Sequence, residues 1–379
     1  MNVEFIQAFE QLGHEKGISK EILFDAIEAA LISAYKRNFG SAQNARVLLD
    51  RDTGEIHVYA RKAVSENVQD DRLEVSLSEA QAINPKYEID DVVEFEVTPK
   101  NFGRIAAQTA KQVVVQKIRE AERGMIYEEF SSRESDILTG VVQRIEQKNV
   151  YLDLGKTEAI LTASEQIANE AYRHGDRIKV YIIEVKKTTK GPQIMVSRTH
   201  PGLLKRLFEL EVPEIHEGIV EIKSVAREPG LRSKISVYSK DETIDPVGSC
   251  VGHKGARVRT IVDELRGEKI DIVKWNSVPE NYIANALSPA NVVWVDINEE
   301  EKMSRVVVPD YQLSLAIGKE GQNARLAAKL TGWKIDIKSQ SQAVNPASGF
   351  DFYDESKFDE YLADGDLYEA EEVSFEEDE

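Results

Sequence analysis

The hydrophobic and polar positions change their spacing along the chain, and each spacing predicts a different kind of structure. Residues 2–39 show the spacing of two helices, with Ser19 placed to cap the second. Residues 45–64 alternate like strands on either side of the turn sequence Asp52-Thr53-Gly54, which predicts a hairpin. A short helix over 78–83 and a strand over 92–97 follow. The chain therefore opens with mixed helices and strands.

A long amphipathic helix is predicted from Arg104 onward. Its apolar stripe continues for about two dozen residues and consists of Ala106, Ala110, Val114, Ile118, Ala121 and Met125. Arg104, Gln108, Lys111 and Arg119 share a neighbouring stripe, because their spacings return to nearly the same side of a helix. We expect this helix to close an N-terminal domain over residues 1–134.

Residues 135–199 change to a period of two. Five short strands are predicted, over residues 137–145, 150–154, 158–161, 177–185 and 193–197, with turns at Gly155 and Gly191. Five strands in this length suggest a small barrel of the OB type. From periodicity alone, any other small antiparallel barrel is nearly as compatible.

Residues 200–345 contain an internal repeat. Gly252-His253-Lys254-Gly255 and Gly318-Lys319-Glu320-Gly321 lie 66 residues apart, and each lies between two helical patterns. The second helix of each copy ends at a glycine, Gly267 or Gly332, before an alternating strand. Strands also precede each loop, so the order predicts two tandem KH domains of the bacterial type II form, over residues 200–276 and 277–345.

The glycines of these loops suit a site for an RNA backbone. A side chain would block the approach of phosphate, and the helix that follows the second glycine presents unpaired N–H groups. A KH loop clamps about four nucleotides in this way. The alternative is that both glycine pairs only join core helices, but two copies in matching contexts favour the RNA site.

Charge modifies this picture. The chain has 48 Lys and Arg against 67 Asp and Glu, a net charge of −19, and residues 346–379 hold 14 of the acidic side chains against Lys357 alone. The remainder is nearly neutral, so RNA binding must depend on local geometry. The composition of 346–379 predicts a disordered acidic tail that keeps the protein soluble. Alternatively, the tail covers KH lysines and competes with RNA phosphate.

Several classes of protein are excluded. The single cysteine, Cys250, rules out an internal disulfide framework, and the six histidines show no metal-ligand spacing. No apolar run approaches the roughly 18 residues of a membrane helix, and the first residues lack the basic region of a signal peptide. We expect a cytoplasmic protein that needs no cofactor and no structural metal.

Four stretches of sequence resemble a known family. They are residues 109–123, 208–215, 244–252 and 321–327, of which the last two begin Ile244-Asp245-Pro246-Val247-Gly248 and Gly321-Gln322-Asn323-Ala324-Arg325. Together with the succession of an N-terminal domain, an OB barrel and two KH domains, they make the chain similar to the NusA family of bacterial transcription elongation and termination factors. The resemblance spans about residues 1–345 and implies an α+β multidomain fold.

The resemblance also implies partners and a function. Residues 1–134 are expected to dock on RNA polymerase near the RNA exit channel, while the barrel and the KH domains hold nascent single-stranded RNA. Such a factor prolongs pauses and modulates termination and antitermination. RNA polymerase and RNA are the expected partners, other transcription elongation factors are further candidates, and we expect a monomer that does not associate with membranes.

The candidate RNA-binding residues fall into three groups. They are Gly252, His253, Lys254, Gly255 and Arg257 at the first loop, Gly318, Lys319, Glu320, Gly321 and Arg325 at the second loop, and Arg104 and Lys111 on the long helix. We expect the first loop to be the better clamp, because Glu320 puts a carboxylate where phosphate should lie. In the barrel, the second and third strands offer only Tyr151 as a stacking aromatic.

Rival functions leave weaker traces. Gly248-Ser249-Cys250-Val251-Gly252 fits a cysteine nucleophile elbow, but such an elbow needs a preceding strand, and the sequence before it resembles a helix start. An RNA-processing enzyme with KH and OB modules remains an alternative, although residues 1–134 are too short for a phosphorolytic core. A ribosome-associated RNA-binding protein is a further alternative that leaves the large N-terminal domain without a role.

Overall fold

The computed structural model describes residues 18–39, 44–51 and 53–343, together with Gln11 and Glu15. Most of the first predicted helix, Asp52 of the hairpin turn and the acidic tail lie outside the described residues. The described chain forms two compact units. One runs through Ser132 and includes Lys187–Pro192, and the other holds Arg133–Lys186 and the chain from Gln193 onward. In this part of the chain no helix is long and apolar enough to span a membrane.

The first unit consists of helices packed against a four-stranded sheet. Its elements are α1 (Lys20–Phe39), β1 (Ala45–Leu49), β2 (Ile56–Ser65), β3 (Glu74–Ser76), α2 (Leu77–Ile83), β4 (Val92–Glu96) and α3 (Phe102–Ser131). Strand β2 pairs in antiparallel fashion with β1 and β4 and in parallel with β3. The main core lies between α1, α3 and the first hairpin, where Phe24, Leu31, Val58 and Phe102 are almost completely buried.

The helices of this unit follow the sequence pattern over most of their length. Ser19 caps α1, because its Oγ accepts the N–H of Ile22 at 3.3 Å. The apolar stripe of α3 is buried at Ala106, Ala110 and Val114. Met125, which belongs to the predicted stripe, is half exposed, because the core that covers the stripe includes no side chain of α3 beyond Ile118.

The chain from Ile137 to Ser197 forms the predicted five-stranded closed barrel. Its strands are β5 (Ile137–Glu146), β6 (Asn149–Asp153), β7 (Glu158–Leu161), β8 (Arg177–Thr188) and β9 (Gly191–Ser197), in the order β5-β6-β7-β9-β8 around the barrel. The period of two appears as burial of Val150, Leu152, Ala159 and Leu161, while Tyr151 between them is only partly covered. The OB-type prediction is therefore confirmed.

Two copies of one helix and sheet unit follow. The first contains α4 (Pro201–Glu211), α5 (Pro213–His216), β10 (Val220–Glu228), β11 (Arg232–Ser239), α6 (Pro246–Val251), α7 (Ala256–Glu264) and β12 (Lys269–Lys274). The second contains α8 (Pro279–Ala286), β13 (Trp294–Asn298), β14 (Met303–Val308), α9 (Leu313–Ile317), α10 (Gln322–Thr331) and β15 (Lys334–Ser339), and α11 (Gln340–Ala343) follows it. Each sheet joins an antiparallel pair to a parallel third strand, which confirms two type II KH domains.

Helix α7 ends differently from the prediction. Arg266 takes the left-handed position with φ +54°, and Gly267 is the residue after it. The N–H groups of Gly267 and Arg266 donate to Val262 O at 2.9 Å and Asp263 O at 3.0 Å, which is the Schellman pattern. The side chain of Arg266 donates to Ala171 O of the barrel at 2.5 Å, and this contact offsets the cost of the left-handed angle.

A buried arginine joins the barrel to the first KH domain. Arg198, which follows β9, is fully buried. Its Nε donates to Glu170 Oε2 at 3.0 Å, and its Nη2 also pairs with Glu170 and donates to Glu264 O at 3.0 Å. Its Nη1 donates to Lys179 O at 2.8 Å. Since a charge at this depth is stable only when it is paired, these contacts fix α7 against the barrel.

A buried lysine joins the two KH domains. The side chain of Lys234, on β11, is fully covered, and its Nζ donates to Asp271 Oδ2 at 2.9 Å and to Ser288 O at 2.7 Å. Asp271 also accepts two hydrogen bonds from Arg232. Burial lowers the pKa of Lys234, and Asp271 opposes that shift. The lysine therefore links the sheet of the first domain to the chain of the second.

A second buried ion pair supports the sheet of the first KH domain. Glu268 is fully buried and binds Arg227 at 2.8 and 2.9 Å. It also accepts hydrogen bonds from Ser233 Oγ at 2.6 Å and from the N–H of Gly230 at 2.8 Å. Burial acts to raise the pKa of Glu268, but these donors hold it below its usual value.

We expect Glu268→Ala to lower the free energy of unfolding by about 3–5 kcal/mol, because it leaves Arg227 buried without its carboxylate. Since the folded-state pKa of Glu268 is lowered, its stabilisation is present above the ordinary carboxyl value of 4.5 and is lost as the pH falls through the folded value. Urea unfolding at several pH values measures both effects. The double variant Arg227→Met with Glu268→Leu should lose less stability, and a fully stable Glu268→Ala protein would contradict this account.

Candidate nucleic-acid interface

The two predicted loops share one backbone conformation. Positive φ angles occur at the first, third and fourth residues of each, with values of +73°, +50° and +74° at Gly252, Lys254 and Gly255, and of +75°, +54° and +73° at Gly318, Glu320 and Gly321. Glycine adopts such angles without steric cost, whereas the third residue bears them in spite of its side chain. Because different sequences reach the same angles, the fold sets the geometry of the loops.

The two glycines of each loop serve different purposes. A Cβ on Gly252 or Gly318 would come within 2.7 or 2.8 Å of a side chain on the helix that follows, so the first glycine permits close packing. A Cβ on Gly255 would have its nearest contact at 3.8 Å, and among the described atoms none lies within 4 Å of one on Gly321. The second glycine therefore faces open space beside the loop.

The residue that packs on the first glycine also holds the loop in place. Arg257 donates to Ser249 O at 2.6 Å, and Asn323, 66 residues later, donates to Ala316 O at 3.0 Å. Arg257 also forms an ion pair with Glu214 at 2.9 Å. Glu214 therefore offsets part of the positive charge that Arg257 was expected to offer to phosphate. The hydrogen bond from Arg257 to Ser249 O instead gives this side chain a structural role beside the loop. His253 and Lys254 are exposed at the first loop.

The second loop carries less available positive charge. Lys319 and Glu320 are both exposed and adjacent in sequence. Arg325 donates through Nε to Glu228 Oε1 at 2.6 Å and through Nη1 to Glu320 O at 3.1 Å. Gln322 donates to the other oxygen of Glu228 at 2.8 Å. The hydrogen bond from Arg325 holds the pKa of Glu228 below its usual value, so this carboxylate is charged and offsets Arg325.

In the barrel, another side chain already covers one face of Tyr151, the candidate residue for stacking on a base. The guanidinium of Arg144 lies over the ring of Tyr151, 4.1 Å from the ring centre. Arg144 is itself held by Glu158, at 2.9 Å from Nη2, and by Glu146, at 3.0 Å from Nε. A base that stacks on this face of Tyr151 must displace Arg144 or lie outside it.

The long helix α3 exposes the predicted polar stripe. The side chains of Arg104, Lys111 and Arg119 are all exposed. Within the first unit, Lys111, Arg119 and Arg123 line a cleft of about 1190 Å³ together with the segment Lys187–Pro192. This cleft is therefore basic, and Arg104 lies outside its lining.

Cys250 lies in the first KH core and is fully buried on α6. Burial and the nearby carboxylate of Glu214 raise its pKa to about 12. A nucleophilic cysteine needs a lowered pKa and access to substrate. The sequence around it also forms a helix that Asp245 caps, so the strand that a nucleophile elbow requires is not at this place.

Comparison with known proteins identifies the family. Models of four domains match in order: the NusA N-terminal domain over residues 4–124, the S1 RNA binding domain over 132–197, the NusA-like first KH domain over 198–275 and the NusA-like second KH domain over 279–345. The transcription termination/antitermination protein NusA of Halalkalibacterium halodurans is 69% identical over 343 residues, which cover 90% of each chain. The chain belongs to the NusA family. The NusA proteins of Bacillus subtilis, with 68% identity over 90% of this chain and 92% of the relative, and of Thermus thermophilus, with 44% identity over 89% and 90%, are similar along the same length.

NusA membership confirms the expected fold class and the function as a transcription termination and antitermination factor with S1 and KH RNA-binding domains. The individual RNA-contacting residues stay predictions.

The sequence did not reveal the partners that neutralise some candidate cations. Glu228 lies 97 residues before Arg325, and Glu214 lies 43 residues before Arg257. Helical spacing links residues three or four apart, so it cannot point to ion pairs between distant elements. The 66-residue repeat could have revealed the structural role of Arg257, because it aligns Arg257 with Asn323, which packs on the first glycine of the second loop in the same way.

Substitutions at the third residue of each loop should change the salt dependence of RNA binding in opposite directions. Lys254→Asn, which keeps a residue that tolerates positive φ, should make the log–log salt slope shallower by up to about 0.7, because one phosphate contact is lost. Glu320→Lys should steepen the slope and raise affinity. RNA titrations over a salt series measure both. Unchanged slopes in both variants would show that these positions do not face phosphate.

Proposed function

We propose that this chain is a cytoplasmic RNA-binding transcription factor that docks on bacterial RNA polymerase near the RNA exit channel. Residues 1–134 form the polymerase-binding part, and the barrel and the KH domains hold the emerging single-stranded RNA. The factor prolongs pauses and modulates termination and antitermination. It works as a monomer without catalysis or a cofactor.

The observation that carries this proposal is the pair of KH loops. Both loops have the same sequence of positive φ angles, and in both the second glycine faces open space. The helix that follows each loop begins directly after this glycine, and its first N–H is already bound inside the loop, from Ala256 to His253 O and from Gln322 to Lys319 O. Donors to phosphate must therefore come from the loop residues and from the N–H groups that follow. These features together suit the close approach of a phosphodiester backbone.

The proposed polymerase role has support of a different kind. The relatives that match nearly the whole chain are named transcription termination/antitermination proteins, and the first unit matches the N-terminal domain of that family. The basic stripe of α3 offers a second RNA-facing surface in the same unit. RNA that leaves the polymerase can then meet this stripe.

Loop variants test the RNA site directly. Gly255→Asp adds a side chain and a negative charge opposite phosphate and should weaken RNA binding more than Gly321→Asp, since Glu320 already weakens the second loop. Titration with single-stranded RNA, beside circular dichroism melts, separates lost binding from lost folding. If both variants stay folded and bind RNA as tightly as the parent, the KH loops are not the RNA site.

Co-purification and enzyme assays test the rival functions. Both loop variants should still bind RNA polymerase, because polymerase binding is assigned to residues 1–134. Hydrolysis or phosphorolysis of RNA by the purified protein would favour an RNA-processing enzyme. Co-purification with ribosomes and not with polymerase would favour a ribosome-associated protein.

We expect Arg104→Ala combined with Lys111→Ala to shorten pauses at hairpin pause sites while affinity for polymerase is unchanged. The two exposed cations lie on one side of α3 and make no contribution to its buried stripe, so the fold should persist. Pause lifetimes in single-round transcription measure the effect. Lys36→Ala combined with Arg37→Ala, at the end of α1, is a matched control for loss of two charges. Pause lifetimes equal to those of the parent would contradict this role.

A further inference from the structure

The second KH domain exposes apolar side chains next to its loop. Tyr311 is 82% exposed, and Leu315 and Ile317 are 46% and 37% exposed. Tyr311 lies in the turn before α9, and Leu315 follows it by four residues, so both lie on one side of this helix. Ile317 is the last residue before Gly318. Because Ile317 follows Leu315 by two residues, it lies on another side of the helix, so Tyr311 and Leu315 form one exposed apolar pair that ends three residues before the loop.

The first KH domain is polar at the same positions. The 66-residue repeat places Asp245 where Tyr311 stands and Ser249 where Leu315 stands. Asp245 has a structural task, since its carboxylate accepts the N–H groups of Val247 at 3.1 Å and Gly248 at 2.8 Å and so caps α6. Its counterpart in the second domain has no carboxylate to cap α9. The exposed tyrosine is thus a difference between the two copies that helix capping does not explain.

The electrostatics of the second loop point to the same difference. Glu320 lies beside Lys319, and Arg325 is paired with Glu228. Phosphate contacts therefore contribute less here than at the first loop. A domain that grips the backbone weakly can still bind single-stranded RNA through its bases, because an unstacked base gains about 1–3 kcal/mol on an aromatic side chain.

The distance fits a base of the strand that the loop holds. Tyr311 precedes Gly318 by seven residues, which corresponds to roughly 10–14 Å along the helix and the turn before it. This length lies within the reach of the about four nucleotides that a KH loop clamps. The exposed pair of Tyr311 and Leu315 thus lies close enough to the loop to meet a base of a strand held there.

We propose that Tyr311, with Leu315 beside it, is a stacking subsite for an unpaired nucleobase of the RNA strand held by the second loop. The first KH domain then binds mainly phosphate, and the second binds mainly a base. This inference rests on the proposed function and adds a specific contact to it. The tyrosine supplies the face for stacking, and the leucine closes one side of the subsite.

Tyr311→Ala should weaken binding of an unstructured single-stranded RNA oligonucleotide by at least about 5-fold, the lower end of the cost of one lost stack. Tyr311→Phe should stay within about 2-fold of the parent, because it keeps the ring. The salt slope of Tyr311→Ala should equal that of the parent, since no phosphate contact is lost. Ile83→Ala, which removes an exposed apolar side chain from the first unit, serves as the control and should bind RNA like the parent.

Abasic RNA identifies the partner of the ring. An oligonucleotide that lacks the stacked base should bind the parent and Tyr311→Ala equally well. If Tyr311→Ala binds intact RNA like the parent while Gly321→Asp does not, the stacking subsite is wrong and the proposed function stands. If neither change affects RNA, the proposed RNA site fails as well.

Two further outcomes would overturn the subsite. Loss of affinity in Tyr311→Phe equal to that in Tyr311→Ala would assign the effect to the hydroxyl group and not to stacking. Loss of polymerase binding with unchanged RNA binding in Tyr311→Ala would make the surface a protein contact. Circular dichroism melts confirm that each variant is folded, which the 82% exposure of Tyr311 leads us to expect.

Discussion

The buried guanidinium of Arg198 is the interaction on which the arrangement of the second unit depends. It receives a carboxylate from the barrel and a backbone carbonyl from the end of α7 at the same time. Rotation of the barrel away from α7 would leave this charge buried without part of its partners, which costs several kcal/mol. Lys234 repeats the arrangement between the two KH domains through Asp271 and Ser288 O. Barrel, first KH domain and second KH domain are therefore held at fixed spacings.

A fixed spacing changes what the individual surfaces need to achieve. A KH loop clamps only about four nucleotides. When several proposed sites share one strand, binding at the first site makes binding at the next one intramolecular, so a weak site gains affinity. Individual sites can therefore be weak. Arg325 is partly neutralised by Glu228, and one face of Tyr151 is covered by Arg144, yet both can contribute to binding of a strand that a neighbouring site already holds. Near neutrality of the chain outside the acidic tail also limits attraction to RNA of any shape.

The sequence predicted the architecture because the features that define it are periodic. The alternation of apolar and polar residues identified the barrel strands, and the repeated glycine pairs located both loops. The positive φ angles at Lys254 and Glu320 were not predicted, because neither residue is a glycine. The cations were less predictable, because the pairing of Arg257 with Glu214 and of Arg325 with Glu228 depends on tertiary contacts. Arg266 in a left-handed conformation was unforeseen for the same reason: its side chain binds the barrel, and this contact offsets an angle that favours glycine.

Helix α7 connects two features that were described separately. It begins immediately after Gly255 of the first loop, and its last residue, Glu264, is bound by Arg198. A helix of nine residues is a stiff rod of about 13 Å. A strand held at the proposed first-loop site would therefore pull on the contact between Arg198 and Glu264 through this rod, with no flexible hinge between them. Mechanical tension in a growing transcript would be shared by the barrel and the loop, and neither would have to bear it alone.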